Sequence, residues 1–187
     1  SCGKCLVEVN GEKVLACQTA VKEDLTVRLG EKVDTRVLTR GLDGEIEMDP
    51  VQQGPLLAFD IGTTTVGGYL LDGETGEELA CASMLNPQSP YGADVVTRIQ
   101  AALGGNMPQL TGAIRRGLEE LTGEMCEKAE VRPGDIGVVS VVGNPCMQQL
   151  FMGLEPSNLV QIPFTPVLTA ADIQPAETYL PDCSRAK

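Results

Sequence analysis

The stretch 56–65, LLAFDIGTTT, constrains the fold of this chain more than any other. An apolar run meets an acid at Asp60, and Gly62 then leads into three consecutive threonines. A second apolar run, 66–71, ends at the turn signal Asp72-Gly73. Apolar runs of strand length that are bounded by turn residues are typical of β-strands. The sequence therefore predicts a hairpin with a polar Gly/Thr turn.

The residue types in this turn suit an anion and a hard cation. Glycine lets backbone N–H groups approach a phosphate closely, and threonine hydroxyls supply further donors. An aspartate at the end of the first strand can hold magnesium through water. The residues with these predicted roles are Asp60 for magnesium, and Gly62, Thr63, Thr64 and Thr65 for phosphate. The stretch resembles the first phosphate loop of the superfamily that contains acetate and sugar kinases, the Hsp70 chaperones and actin. The alternative is an ordinary hairpin with a buried acid.

Composition narrows the possible chemistry. The net charge of −12 disfavours a nucleic-acid partner, because such affinity comes largely from Lys and Arg neutralising phosphates. No histidine is present, so chemistry must use carboxylates, thiolates, hydroxyls or a cofactor. No apolar run approaches the length of a membrane helix, roughly 18 residues, and the first residues lack the apolar core of a signal peptide. We therefore expect a cytoplasmic protein with no membrane partner.

Three of the seven cysteines lie near the N-terminus, as Cys2, Cys5 and Cys17. Alternating residues around Asn10-Gly11 predict a hairpin between the second and the third of them, and a further strand is predicted at Leu25–Leu29. Converging thiolates suit an iron–sulfur cluster or zinc. The alternatives are a thioredoxin-like redox pair, a zinc knuckle and buried structural cysteines. The remaining cysteines have no ligand spacing and are interpreted as buried or incidental: Cys81, Cys126, Cys146 and Cys183.

The N-terminal cysteines resemble the cluster loop of a plant-type 2Fe–2S ferredoxin. In that family an earlier cysteine supplies one ligand, and the CGxC pair and a later cysteine supply three. The resemblance implies that Cys2, Cys5 and Cys17 are three of four cluster ligands, with the fourth not included in the sequence given. Residues 1–30 are accordingly predicted to be the C-terminal part of a ferredoxin-like β-grasp domain.

Residues 31–55 are polar and rich in turn signals, which predicts a linker. Residues 56–187 are predicted to form the second domain. Beyond the hairpin we expect a third strand at 77–84 and then a helix whose apolar face is Val95, Val96, Ile99 and Leu103. A longer helix is predicted at 109–129, followed by a strand at 136–142 covered on both faces. The last predicted element is a helix at 145–152 with Asn144 as its N-cap. The buried stripe of the longer helix is predicted to be Leu110, Ile114, Leu118, Leu121 and Met125.

The predicted order β-β-β-α-β-α matches the start of the ribonuclease-H-like half-domain of the kinase/Hsp70/actin superfamily. The fold class expected from this match is α/β, with that half-domain preceded by a partial β-grasp segment. In the superfamily, a second half-domain supplies the second phosphate loop and the adenosine pocket, and residues after the first loop do not repeat its pattern.

The combination resembles the reductive activators of corrinoid proteins, which use ATP turnover and an iron–sulfur centre to return Co(II) corrinoid to Co(I). Four stretches carry the resemblance: SCGKCLVEV with LACQT, AFDIGTTTVGGYLLD, NPQSPYGADVVTRI, and VGNPCMQQLFMG with IPFTP. It implies ATP with magnesium and a 2Fe–2S cluster as cofactors. It also implies a corrinoid protein and a low-potential electron donor as partners, with a homodimer as a possible assembly. The full-length protein is expected to be the active form, and this chain alone is expected to be inactive.

The third stretch contains Asn86, Gln88, Asp94 and Arg98, to which the sequence assigns no role. For Asp94 and Arg98 the alternative to a functional role is an i,i+4 pair on a helix surface. Two other functions remain open for the whole protein. One is a small-molecule kinase of the same superfamily with structural cysteines, and the other is a non-catalytic electron-carrier module on an actin-like scaffold.

Overall fold

The computed structural model of the chain describes residues 6–29 and 54–183. These residues belong to two compact units, one in each range. Of the predicted linker, only Gly54 and Pro55 are described, and Pro55 is the first residue of a strand. None of the helices in these two ranges is long and apolar enough to cross a membrane.

The first unit is a small antiparallel sheet. Its strands are β1 (Leu6–Val9), β2 (Glu12–Leu15) and β3 (Val27–Leu29), in the order β2-β1-β3. Asn10 and Gly11 have φ angles of 50° and 90°, the left-handed conformations that a two-residue hairpin turn requires. The hairpin predicted at Asn10-Gly11 is therefore confirmed, and the third strand is two residues shorter than predicted.

Between residues 54 and 183, the second unit contains four strands and three α-helices. The strands are β4 (Pro55–Ile61), β5 (Thr65–Asp72), β6 (Glu78–Leu85) and β7 (Val138–Gly143). The helices are α1 (Val95–Ala101), α2 (Met107–Ala129) and α3 (Pro145–Met152). The sheet order is β6-β5-β4-β7, with β7 parallel to β4 and the other pairs antiparallel. The predicted α/β class is confirmed, but the order is β-β-β-α-α-β-α, because two α-helices and not one lie between β6 and β7.

The core forms where α2 packs across one face of the sheet. Strand β4 buries Leu57, Phe59 and Ile61 on that face, because alternate side chains of a strand point the same way. The helix contributes the whole predicted stripe, since all five of its residues are completely buried: Leu110, Ile114, Leu118, Leu121 and Met125. Helical periodicity thus identified the core face of α2 correctly.

Strand β7 differs from its prediction. Its valine-rich run indicated a strand covered on both faces, but Ser140 is exposed and Val142 is 54% exposed. Among the described residues, β7 lies at the edge of the sheet and pairs only with β4. A continuous apolar run does not distinguish a central strand from an edge strand whose outer face lacks cover.

The apolar face predicted for α1 is also wrong in part. Val96 and Leu103 are 54% and 47% exposed, whereas Ile99 and the charged Arg98 are each 1% exposed. The helix begins with a capping box between Asp94 and Thr97. A wide turn at Ala102–Asn106, with Gly105 at φ 99°, separates α1 from α2. This break changes the direction of the chain. The helical periodicity of α1 therefore does not continue to Leu103, which the prediction had placed on the same face.

Candidate phosphate-binding site

The candidate site lies where β4 and β7 end side by side. The two strands are parallel, and Ile61 is the register partner of Gly143. The carboxyl ends of neighbouring parallel strands meet at one edge of a sheet, so the turn 62–64 and the start of α3 leave the sheet together. These segments belong to the second and fourth of the stretches that carry the resemblance.

The predicted phosphate and magnesium residues lie at this edge. Asp60 is exposed, on the face of β4 opposite to its buried residues, which excludes the interpretation as a buried acid. Gly62 and Thr63 are half-buried, Thr64 is exposed, and Thr65 begins β5. A carboxylate, hydroxyls and backbone N–H groups are the donor set that a phosphate with magnesium requires.

Two buried residues hold the turn by donating hydrogen bonds to its carbonyl oxygens. The Asn86 side chain donates to the Gly62 carbonyl over 2.7 Å, and the Asn86 backbone N–H donates to the Thr64 carbonyl over 2.8 Å. Arg98 Nη2 donates to the Thr63 carbonyl over 2.7 Å. Three successive carbonyls are therefore fixed by two residues from the third stretch.

These contacts set the direction of the turn's N–H groups. In a planar trans peptide the C=O and the following N–H point in opposite directions. Because the carbonyls of Gly62 and Thr63 face Asn86 and Arg98, the N–H groups of Thr63 and Thr64 point away from them. The turn thus presents backbone donors on the side away from the residues that hold it, as an anion cradle requires.

Position 62 must be a glycine because its backbone lies very close to the next strand. A Cβ atom at this position would lie 2.6 Å from the carbonyl oxygen of Thr65. Such a contact is too short for any side chain, so the backbone would have to move. The glycine that the sequence assigned to anion approach is therefore also needed for the turn to close.

Arg98 is a buried cation whose hydrogen-bond acceptors are all uncharged. Its guanidinium donates to the carbonyls of Thr63 and Gly92, to Gln88 Oε1 over 3.5 Å and to the Met147 sulfur over 3.3 Å. Burial lowers the pKa of Arg98, which Cys146 and Asp94 partly offset. Arginine nevertheless stays protonated in proteins.

The alternative of a surface i,i+4 pair between Asp94 and Arg98 is wrong. Asp94 is the N-cap of α1 and accepts from the Thr97 backbone N–H over 2.8 Å, while Arg98 points into the protein. These hydrogen bonds hold the pKa of Asp94 below its usual range. In residues 6–29 and 54–183, no carboxylate lies within ion-pair distance of Arg98.

Asn86 and Gln88 complete the support of the turn. Asn86 is 1% exposed and Gln88 is fully buried. The Asn86 side chain accepts from the Gln88 backbone N–H over 2.9 Å, and Gln88 Nε2 donates to the Leu110 carbonyl over 3.1 Å. The hydrogen bonds of the buried amides thus connect the turn to α2. In the described part of the chain, no buried side-chain nitrogen or oxygen lacks a hydrogen-bond partner.

Asn144 connects the turn to α3. Its side-chain oxygen accepts from the backbone N–H groups of Cys146 and Met147, both over 3.1 Å, which confirms the predicted N-cap. Its Nδ2 donates to Thr63 Oγ1 over 3.3 Å. The sequence identified the cap but not the contact with Thr63, because that contact joins residues 81 positions apart.

Gln149 holds the segment 155–167, which contains the IPFTP sequence. Its side chain is 2% exposed, donates to the Glu155 carbonyl over 3.1 Å and accepts from the Val167 backbone N–H over 3.1 Å. The first part of the fourth stretch is therefore hydrogen-bonded to residues that lie on either side of its second part, IPFTP. Gln149 has no predicted role, and its place within that stretch is the signal that the sequence contains.

The predicted cluster ligands are described only in part. Cys17 is exposed in a short 3₁₀ turn, Ala16–Gln18, and Cys2 and Cys5 lie outside the described residues. Within the described ranges, no group of three or more Cys, Asp or Glu side chains could hold a metal ion. Of the cysteines interpreted as buried or incidental, Cys81 is half-buried and the other three are buried: Cys126, Cys146 and Cys183. Burial raises the pKa of Cys146 to about 11.

Comparison with known proteins places these features in a family. The model of the RACo middle region family matches residues 56–185. The chain is 41% identical over 110 residues to the corrinoid activation enzyme RamQ of Eubacterium limosum, a match that covers 58% of this chain and 18% of that protein. A solved structure described as a reductive activator for a corrinoid, iron–sulfur protein matches with a TM-score of 0.67 and 30% identity, over 73% of this chain and 22% of that one.

The chain thus spans about a fifth of the length of the relatives it matches. The family match covers the phosphate turn, its supporting residues and the segment held by Gln149. The solved activator structure and this chain share the arrangement of strands and helices. Their sequence identity of 30% supports common ancestry. The chain belongs to the RACo middle region family of the reductive activators of corrinoid proteins.

Proposed function

We propose that this chain is the nucleotide-phosphate-binding part of an ATP-dependent activator that returns a corrinoid protein from Co(II) to Co(I). The observation that carries the proposal is the direction of the phosphate turn. Three of its carbonyls are held by Asn86 and Arg98, and the N–H groups of Thr63 and Thr64 point the other way. The relatives' names supply the corrinoid partner.

Each residue of the turn has a proposed task. The backbone N–H groups of Thr63 and Thr64 bind phosphate oxygens, with the hydroxyls of Thr63, Thr64 and Thr65 as further donors. Asp60 holds magnesium through water, because magnesium keeps most of its hydration shell and accepts few protein ligands. Asn144 fixes Thr63, so that the start of α3 and the turn keep one arrangement around the phosphates.

The proposed reaction is a one-electron reduction of Co(II) to Co(I). Cys2, Cys5 and Cys17 would hold three of the ligand positions of a 2Fe–2S cluster, which would supply one-electron transfer from a low-potential donor. ATP binding at the turn favours the conformation in which transfer occurs, and hydrolysis to ADP and phosphate resets it. A ligand shifts such an equilibrium only by its differential affinity for the two states.

The decisive experiment uses the full-length protein, purified without oxygen, and its corrinoid protein partner in the Co(II) state. We expect the Co(I) absorbance to appear with MgATP and a low-potential reductant, and at least tenfold more slowly without nucleotide. Asp60→Asn removes the carboxylate and should raise the magnesium concentration needed for half-maximal rate. Equal rates with and without ATP would contradict the proposal.

Iron and nucleotide measurements separate the alternatives. We expect roughly two irons per chain and a visible band that dithionite bleaches. An iron-free protein that transfers phosphate to a metabolite would favour the kinase. A redox-active cluster without ATP turnover would favour the electron-carrier module.

A further inference from the structure

Arg98 supplies a buried positive charge behind the phosphate turn, and nothing in the proposed function above assigns a role to that charge. The guanidinium is 1% exposed and its four acceptors are neutral. Transfer of a charge from water into a protein costs free energy unless an opposite charge compensates it. The carboxylate nearest in sequence, Asp94, caps α1 and offsets the burial of Arg98 only in part.

The position of the charge points to its compensating partner. Arg98 Nη2 contacts the Thr63 carbonyl over 2.7 Å, and the N–H of the same peptide unit, on Thr64, points to the opposite side. Standard peptide and hydrogen-bond dimensions place an anion on that N–H roughly 8 Å from the guanidinium. The intervening peptide dipole has its negative oxygen toward Arg98 and its positive N–H toward the anion.

We propose that Arg98 is a positioning residue that makes the turn selective for polyanionic ligands by its charge, and not only by holding the Thr63 carbonyl. Its polarisation of the Thr63–Thr64 peptide strengthens the N–H as a donor, and its charge favours each negative charge brought to the turn. This role deepens the phosphate-binding function proposed above and depends on it.

Coulomb's law gives the size of the effect. At roughly 8 Å and an effective dielectric constant of about 20, loss of the charge weakens binding of a single negative charge on the order of tenfold to thirtyfold. A burial this deep limits screening by salt, so we expect most of the effect to persist at physiological ionic strength. If Arg98 only held the Thr63 carbonyl, its effect on ligand affinity would not depend on the charge of the ligand.

Gln88 allows the charge to be changed while Arg98 keeps its contacts. Gln88 Oε1 accepts from Arg98 Nη1, so Gln88→Glu places a carboxylate against the guanidinium with almost the same shape. That variant retains the hydrogen bond from Arg98 to Thr63 and compensates the positive charge locally. It also loses the Nε2 donor to the Leu110 carbonyl, so its effect on binding is compared between charged and uncharged ligands of the folded variant. Arg98→Met removes both charge and contact, whereas Arg98→Lys keeps the charge and loses the forked geometry.

Thr97 provides a matched control on the same helix. Thr97→Ala removes half of the capping box and weakens the start of α1, but it leaves the acceptors of Arg98 in place. We expect this variant to bind phosphate ligands within twofold of the wild-type protein. It therefore separates general weakening of α1 from loss of the Arg98 charge.

The test is calorimetric titration of the full-length protein and its variants with magnesium pyrophosphate, MgATP and adenosine, with thermal unfolding measured in parallel. We expect Arg98→Met to weaken pyrophosphate and ATP binding at least tenfold, Gln88→Glu at least threefold, and Arg98→Lys less than Arg98→Met. Adenosine binding should change less than twofold in Gln88→Glu. Failure of Arg98→Met to fold leaves Gln88→Glu as the deciding variant.

The outcomes distinguish this role from the phosphate site itself. A wild-type protein that binds neither pyrophosphate nor ATP overturns the phosphate site and this inference with it. A wild-type protein that binds both, with an unchanged pyrophosphate affinity in a folded Gln88→Glu, overturns only the charge role of Arg98. A loss that is equal for adenosine and for pyrophosphate also overturns that role.

Discussion

Ile61 and Gly143 are register partners at the ends of two parallel strands, and this pairing brings together the turn 62–64 and the N-terminus of α3. A Cβ atom on Gly143 would lie 3.0 Å from the Ile61 carbonyl oxygen, so the two backbones are in close contact there. The site is thus formed by two loops that are far apart in sequence. Its geometry depends on the sheet as much as on the residues of the turn.

Gly62→Ala should disrupt the turn. The added Cβ would meet the Thr65 carbonyl oxygen at 2.6 Å, and because that atom belongs to the backbone, relief requires movement of the hairpin. We expect a loss of stability of about 1–3 kcal/mol and at least tenfold weaker ATP binding. Denaturant unfolding and nucleotide titration measure the two effects.

Gly123→Ala is the control for the same substitution. An added Cβ there meets nothing within 4 Å, and the residue lies in the interior of α2, where alanine is favoured over glycine by up to about 1 kcal/mol. We expect equal or greater stability with unchanged ATP binding. Equal behaviour of Gly62→Ala and Gly123→Ala would contradict the close contact at the turn.

Asn144 variants should separate helix capping from support of the turn. Asn144→Ala loses both the cap of α3 and the contact with Thr63, so we expect about 1 kcal/mol of destabilisation. Asn144→Ser retains a capping oxygen and should keep near wild-type stability. Both variants lose the Thr63 contact, so both should bind ATP roughly two- to tenfold more weakly, the usual range for one hydrogen bond. Wild-type affinity in Asn144→Ser would show that the contact has no part in binding.

Gln149→Leu should release the segment 155–167 from α3. The substitution leaves the Val167 N–H and the Glu155 carbonyl without their partner, at a cost of about 2–3 kcal/mol. We expect faster proteolysis within this segment, detected by mass spectrometry of limited digests. Gln148→Ala, the neighbouring position on α3, serves as the control and should digest at the wild-type rate. Unchanged cleavage in Gln149→Leu would show that other contacts hold the segment.

Stability should fall at alkaline pH because of two buried thiols. Burial raises the pKa of Cys146 and of Cys183 from the ordinary 9.0 to about 11 each. A pKa that is higher in the folded state means that stability is fully present below pH 9.0 and is lost as pH rises toward about 11. We expect a loss on the order of 2 kcal/mol per thiol across that window.

Variants of the two thiols test this dependence. Unfolding of Cys146→Ala and of Cys183→Ala should each depend less steeply on pH between pH 9 and 11, the window set by the two thiols. Val96→Ala changes an exposed apolar side chain that does not titrate, and it should retain the wild-type slope. An identical slope in all three variants would assign the alkaline loss to other groups.

The family was apparent from the sequence because its motifs are local. The Gly/Thr turn, the stripe of α2, the Asn144 cap and the hairpin at Asn10-Gly11 each depend on residues a few positions apart. Local backbone preferences and helical periodicity are sufficient to predict such features. The resemblance to corrinoid-protein activators was carried by the four quoted stretches of sequence, not by periodicity, and it agrees with the family match over residues 56–185.

The roles of the third stretch were decided only by tertiary structure. Arg98 lies at a charged position that sequence rules assign to a helix surface, but it is buried because its acceptors come from Thr63, 35 residues away, and Met147, 49 residues away. The exposure of β7 likewise depends on which strands pair with it, a property that its own valines do not encode. Hydrogen bonding between distant segments decides whether a polar side chain is buried, and a local pattern contains no information about those partners.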